Sequence, residues 1–149
     1  MIHVRWMIRR DWKYCLDIER TLFKEPWTET EFIQNLRNRL SIAVVAEEDE
    51  TILGHCFYLL SEDDDKPITI LRLVAVPSIR RDIETCLIKY MLKKNRRLLM
   101  YVTDDQTETH LLLKANGFIA VGVERGDPDV YKFELLAENK SKSKTGVTT

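Results

Sequence analysis

Apolar residues gather in seven short stretches of this chain, and between them lie four segments whose apolar positions repeat at helical spacing. Residues 2–7 read as a first strand. Asp11 is placed to cap a helix carrying Trp12, Cys15, Leu16, Ile18 and Leu22. Phe23-Lys24-Glu25-Pro26-Trp27 ends it, because Pro26 disfavours helical geometry at the residue before it. Thr28 and Glu31 have the spacing of a capping box, and the helix they open carries Phe32, Leu36 and Leu40 four residues apart.

The pattern then turns to strands. Residues 42–46 and 52–60 flank a polar turn at 47–51, and an acid-rich turn at 61–67 leads into a long apolar strand, 68–76. Its near-continuous apolar character predicts burial on both faces. Ile79, Ile83, Cys86, Leu87, Tyr90 and Met91 form one face of a helix running to about Lys94. A crossover of that length joins parallel strands, here 68–76 and 98–103. After Asp104 and Asp105 comes a short helix with Leu111, Leu112 and Leu113, stopped by Asn116-Gly117. Strands at 118–123 and 130–136 close the pattern, and residues 137–149, too polar to bury a core, are expected to form a disordered tail. The expected fold class is α/β (α+β): one domain over 1–136, a mixed twisted sheet of about seven strands and about four helices.

Composition narrows the partners. A net charge of −1 and a pI near 6.3 give no whole-molecule attraction to nucleic acid or to an anionic membrane. No stretch approaches the ~20 apolar residues of a membrane span, and residues 1–5 lack the apolar core of a signal peptide. Cys15, Cys56 and Cys86 are an odd number of cysteines with apolar neighbours, as expected for free thiols in a reducing, cytoplasmic setting. His3, His55 and His110 lie far apart and lack ligand spacing, and Asp63-Asp64-Asp65 lacks the loop pattern of a calcium site, so no metal is expected.

Several stretches together resemble the GNAT superfamily of N-acetyltransferases, and within it the ribosomal-protein alanine N-acetyltransferases and their bacterial relatives. They are Ile18-Glu19 followed by Phe23 to Phe32 with Pro26-Trp27, Ile52-Leu53-Gly54 with Phe57, Leu71 to Val76 with Pro77 and Arg80-Arg81, Ala115-Asn116-Gly117-Phe118, and Asp129-Val130-Tyr131. The resemblance covers about residues 1–136. It implies acetyl transfer from acetyl-CoA to a primary amine, a protein N-terminus among the acceptors. It also implies that Leu73, Val74, Ala75 and Val76 hydrogen-bond the pantetheine arm, and that the turn and helix start at Arg80, Arg81, Asp82, Ile83, Glu84 and Thr85 hold the pyrophosphate through backbone N–H groups.

The family's turn carries two glycines, whereas this chain has none between Gly54 and Gly117. Aligned without a gap, the glycine positions hold Ile83 and Thr85; with one residue deleted, they hold Asp82 and Glu84. Branched side chains there crowd the backbone, and a carboxylate ~4 Å from a phosphate charge costs ~1 to ~4 kcal/mol between water and an effective dielectric of 20. The family's base Glu corresponds to Tyr101, its helix-start Asn to Gln106 and its acid Tyr to Leu113. Proton handling then falls to Tyr101, His110 or Tyr131. Three functions are therefore expected: a weakened acetyltransferase, an inactive GNAT domain acting as a binding or regulatory module, or, less favoured, a GNAT domain adapted to another acyl donor or nucleotide with Arg80, Arg81 and Lys93 as anchors.

Overall fold

The computed structural model describes residues 1–63 and 65–136. Asp64 and the expected tail at 137–149 lie outside the described residues. The elements are β1 (His3–Trp6), α1 (Trp12–Leu22), α2 (Glu29–Arg37), β2 (Ser41–Glu48), β3 (Thr51–Leu59), β4 (Ile68–Ala75), α3 (Arg80–Leu92), β5 (Leu98–Thr103), α4 (Thr107–Ala115), β6 (Ile119–Glu124) and β7 (Val130–Leu135). Single tight helical turns at Arg9–Asp11 and Pro77–Ile79 lead into α1 and α3. The strands form one seven-stranded sheet in the order β1-β2-β3-β4-β5-β7-β6. β4 and β5 pair in parallel, as the crossover length requires, and the ladders β1–β2, β2–β3, β5–β7 and β6–β7 are antiparallel.

Contacts divide the chain into two compact units. The first joins Met1–Leu60 to Leu71–Tyr90. Cys15, Leu16, Phe32, Val45 and Phe57 form a buried cluster there, with Trp12, Trp27, Leu36 and Leu71 packed around it. Phe32 meets Phe57 edge to face at 5.1 Å, and Trp27 meets Phe57 at the same distance. Burying an aromatic side chain such as Phe32 stabilises the unit by about 1.5–3 kcal/mol. The capping box forms as the sequence predicts: Thr28 Oγ1 accepts the Glu31 N–H at 3.2 Å, and Glu31 Oε1 accepts the Thr28 N–H at 3.3 Å.

Ile79, expected on the apolar face of the third helix, lies before α3 in the tight turn and is exposed, because Pro77 starts that turn two residues earlier. Two further local expectations differ from the structure. Asp11 stands at the cap position of α1 but makes no side-chain cap bond. Its carboxylate instead accepts from the Ile8 N–H at 2.8 Å and from two Arg5 nitrogens at 2.8 and 3.0 Å. The second helix stops at Arg37, so Leu40 is exposed rather than part of its apolar stripe. Asn38 adopts extended geometry, its side chain accepts the Leu40 N–H at 3.0 Å, and its carbonyl accepts the Ser41 N–H. Such side-chain bonding offers the backbone a local alternative to the helix.

The second unit holds Ser61–Ile70 and the chain from Met91 onward. Its core includes Met100, Val102, Leu112, Leu113, Phe118 and Phe133. Gly117 ends α4 at φ +90°, a conformation that a side chain would strain, and the Phe118 N–H bonds the Leu113 carbonyl across it.

Candidate functional site

The strand-to-helix turn lies wholly in the first unit. Leu73, Val74 and Ala75 are buried at the end of β4, and the Val76 N–H bonds the Leu53 carbonyl at 2.8 Å. Pro77 then opens the tight turn, where its missing N–H costs nothing, and no side chain caps that turn. Within α3, Ile83, Glu84, Leu87 and Ile88 are all buried, so they form the helix's inner stripe. Ile83 reaches β3 at Gly54: a Cβ built on Gly54 would stand 2.6 Å from Ile83 Cγ2 and 2.5 Å from the Val74 carbonyl oxygen. Glu84 is likewise turned inward, and Arg80 Nε meets its carboxylate at 2.7 Å. Arg81 and Asp82 are exposed on the first turn, and Thr85 is half-buried.

This geometry alters the sequence expectation for the glycine-free turn. Ile83 and Glu84 do not stand over the helix start, because helical spacing sends them to the sheet. A helix beginning at Arg80 also uses the Glu84 and Thr85 amides within its own ladder, against the carbonyls four residues back. Any anion would therefore be held by backbone amides before them, with Arg81 as the exposed cation and Asp82 as the opposing charge. An anionic group fits on these terms: the branched side chain is out of the way, and Arg80 neutralises the inner acid.

The candidate proton-handling residues lie in the second unit and fall into two groups. His110, on α4, packs edge-on against Tyr131 at 5.0 Å and Phe133 at 5.1 Å. Its Nε2 lies 2.9 Å from the Thr103 carbonyl oxygen. A carbonyl only accepts, so Nε2 donates, and in the neutral ring the lone pair is on Nδ1. Tyr101 is not with them. It pairs with Lys132, whereas Met100 and Val102 pair with Phe133 and Tyr131. Alternation along β5 thus puts exposed Tyr101 on the opposite face from His110 and Tyr131. Gln106 stands at the start of α4, and Leu113 is fully buried within it.

Solved structures share this architecture. The Escherichia coli ribosomal-protein-S18-alanine N-acetyltransferase is 17% identical at a TM-score of 0.77, over 92% of this chain and 94% of that one. Arabidopsis thaliana NAA60 in complex with a bisubstrate analogue is 23% identical at 0.74, over 91% of this chain and 97% of that one. The same protein in complex with acetyl-CoA gives 18% identity and 0.75, over 91% and 99%. The chain has the GNAT fold. No protein-family model matches the sequence, and a search of curated proteins finds no match.

Inside this GNAT fold the structure also assembles a group that sequence reasoning passed over. Glu19 of α1 is fully buried. Its Oε1 accepts from the Trp27 N–H at 2.9 Å and from Arg72 Nε at 2.8 Å and Nη2 at 2.7 Å, and its Oε2 faces His55 Nε2 at 3.3 Å. The Arg72 guanidinium lies 4.3 Å from the ring centre of Phe23 and 4.9 Å from that of Trp27. Burial raises the Glu19 carboxyl, but the hydrogen bonds from His55 and Trp27 and the charge of Arg72 outweigh it and hold the group ionised. Burial dominates at His55 and holds the imidazole neutral, below its ordinary range. Nε2 then donates to the carboxylate, and Nδ1 is buried without a partner. Two sequence signals pointed here. Glu19 occupies the apolar stripe of α1, four residues after Cys15, and Arg72 interrupts an apolar strand.

Proposed function

We propose that the chain transfers an acetyl group from acetyl-CoA to a primary amine, with a protein N-terminus as the acceptor class, at a reduced turnover. The observation that carries the reading is the tight turn Pro77–Ile79, which leads from β4 into α3 of a GNAT fold without a side-chain cap, with Ile83 and Glu84 turned away from it. The reaction forms a bond from the amine nitrogen to the acetyl carbon, breaks the carbon–sulfur bond, takes a proton from nitrogen and returns one to sulfur. The thioester supplies the activated acyl group. Backbone groups of Leu73 to Val76 align it, and the amides at the turn with Arg81 hold its phosphates.

His110 is the favoured proton acceptor through Nδ1, with the adjacent Tyr131 as the hydroxyl that returns a proton. Tyr101 lies on the other face of β5, paired with Lys132. Losing a positioned base and acid costs about 10²–10⁴ each in rate. Bringing amine and thioester together supplies much of what remains. A second reading, a non-catalytic binding module, is favoured by the burial of Leu113, the residue that the resemblance aligns with the family's acid.

Calorimetric titration of acetyl-CoA into the protein decides first. Micromolar binding supports the donor site, and a panel of N-terminal peptides assayed for mass gain at high protein concentration then tests transfer. Absence of binding at millimolar acetyl-CoA overturns the acetyltransferase reading. Failure to modify any peptide counts against the transferase, and micromolar binding of acetyl-CoA counts against the simple binding module.

A further inference from the structure

The outer edge of β1 carries exposed groups that the transfer of an acetyl group leaves unused. β1 is the first strand of the sheet and pairs only with β2, so its other edge is open. The Met7 N–H bonds the Ala43 carbonyl at 3.0 Å. Alternation along an antiparallel ladder then turns the backbone groups of His3 and Arg5 to β2 and those of Val4 and Trp6 outward. The Trp6 carbonyl is taken by Arg5 Nη1 at 3.0 Å. The same alternation sorts the side chains. Met7 packs against the buried cluster of the first unit, whereas Trp6 and Ile8, to either side of it, are 66% and 48% exposed. Charge here is one-sided. Arg9, Arg10 and Lys13 are exposed and make no ion pair among the described residues. The neighbouring acids are taken: Arg5 holds both Asp11 and Glu47, Met1 meets Glu48 at 3.0 Å, and Arg20 meets Asp17 at 3.6 Å. Chain length alone keeps residues 6–10 within ~14 Å of one another, so Trp6, Ile8, Arg9 and Arg10 share one surface.

We propose that this edge binds an extended acidic peptide segment. The segment pairs as an added strand with the Val4 N–H and carbonyl and the Trp6 N–H, lays an apolar side chain on Trp6 and Ile8, and sets its carboxylates against Arg9 and Arg10. The number of cations decides among acidic partners. Arg9, Arg10 and Lys13 are fewer than the roughly 6–10 phosphate contacts on which strong nucleic-acid binding rests. They are also fewer than the about 4–8 clustered cations of a lipid-binding segment. A net charge of −1 adds no attraction to either from the rest of the chain. A peptide needs fewer charges, because an open strand edge supplies main-chain hydrogen bonds and an exposed Trp supplies an anchor. β2 and β3 stand between β1 and β4, where the proposed donor site lies, so the edge is a separate site and its test is readable whether or not acetyl-CoA binds.

Fluorescence anisotropy with a labelled peptide that alternates Glu with Val tests this. The wild type should bind it, and a peptide with Lys in place of Glu should not bind. Trp6→Ala should weaken binding about thirtyfold, the loss of a hot-spot anchor. Arg9→Glu/Arg10→Glu should weaken it about tenfold, and the difference should shrink as salt is raised. All three side chains are exposed, so circular dichroism should show an unchanged fold in both variants. Amide hydrogen exchange reads the placement: bound peptide should slow Val4 and Trp6 and leave β6, the other edge strand, unchanged. No binding at millimolar peptide, equal binding of the Lys peptide, or wild-type affinity in either variant overturns the proposal. Protection confined to β6 overturns the placement on β1. Tighter binding of oligouridine RNA, or of phosphatidylserine vesicles, than of the acidic peptide overturns the peptide as the partner and gives the edge to nucleic acid or to membrane.

Discussion

Adding one methyl group at Gly54 should damage this protein more than its size suggests. The new Cβ of Gly54→Ala would lie 2.5 Å from the Val74 carbonyl oxygen, 2.6 Å from Ile83 Cγ2 and 3.2 Å from the Ala75 Cα. Two of these neighbours are backbone atoms of a buried strand, and the third belongs to a fully buried, β-branched residue that is stiff about χ1. None can swing aside. Overpacking of this kind costs about 1–3 kcal/mol, and contacts this short place the site at the upper end. Replacing glycine returns about 0.4–1 kcal/mol through the less flexible unfolded chain. The net is about 2 kcal/mol, or a fall in Tm of about 4–8 °C for a chain of this size. Urea unfolding followed by circular dichroism measures it, with an unchanged m-value showing that the loss is one of stability. The companion test is Ile83→Ala. Alone it should cost about 2–5 kcal/mol as a cavity. Combined with Gly54→Ala it should cost less than the sum by about 1 kcal/mol, because one clash has gone. A Gly54→Ala protein within 0.5 kcal/mol of wild type, or strict additivity with Ile83→Ala, would refute the claim that α3 and β3 touch through these two residues.

Acid should erode stability in two steps. The neutral form of His55 is favoured by burial, so the unfolded chain takes up the extra proton; stability is complete above pH ~6.5 and declines below it. Glu19 and Asp11 are held ionised below their ordinary values of 4.5 and 3.8, so their contributions are present above those values and are lost as pH falls further. Urea midpoints measured from pH 8 to 4 check both limbs, and a flat response from pH 8 to 5 contradicts the first. In the native protein only the half-buried Cys86 should react promptly with a thiol reagent, because burial pushes the Cys15 and Cys56 thiols far above their usual range. Three equally fast thiols would contradict that burial. Thr28→Ala should cost about 1 kcal/mol by removing the cap of α2, measured by the same urea unfolding.

Much of the fold was legible because local signals agreed with the tertiary structure. The capping box at Thr28 and Glu31, the Asn116-Gly117 stop and the crossover between β4 and β5 each had one reading, and each took that form. Asp11 was harder, because a capping acid and an ion-paired acid look alike in sequence, and Arg5 decides between them from another element. The turn before α3 was harder still. Aligning glycine positions asks which residues replace them, but not which way those residues point. Ile83 and Glu84 look obstructive in a row of letters; on the helix, spacing turns them to the sheet, and Gly54 on a different strand makes the room. The grouping of Tyr101, His110 and Tyr131 needed strand register, which separates the first from the other two.

Glu19 also bears on how this sequence can change over generations. Its two oxygens meet donors from the α1–α2 connection, β3 and β4, so the fitness of any replacement at position 19 is conditional on positions 55 and 72. A lineage that loses the acid first passes through a protein with an uncompensated guanidinium beside a buried imidazole. One that loses Arg72 first leaves a naked buried carboxylate. Both intermediates sit several kcal/mol down, at about 3–5 kcal/mol for breaking a buried pair, much of a typical domain's stability. The three positions should therefore vary together or stay fixed, and residues 18 to 28 should drift only within the shapes that this one carboxylate permits.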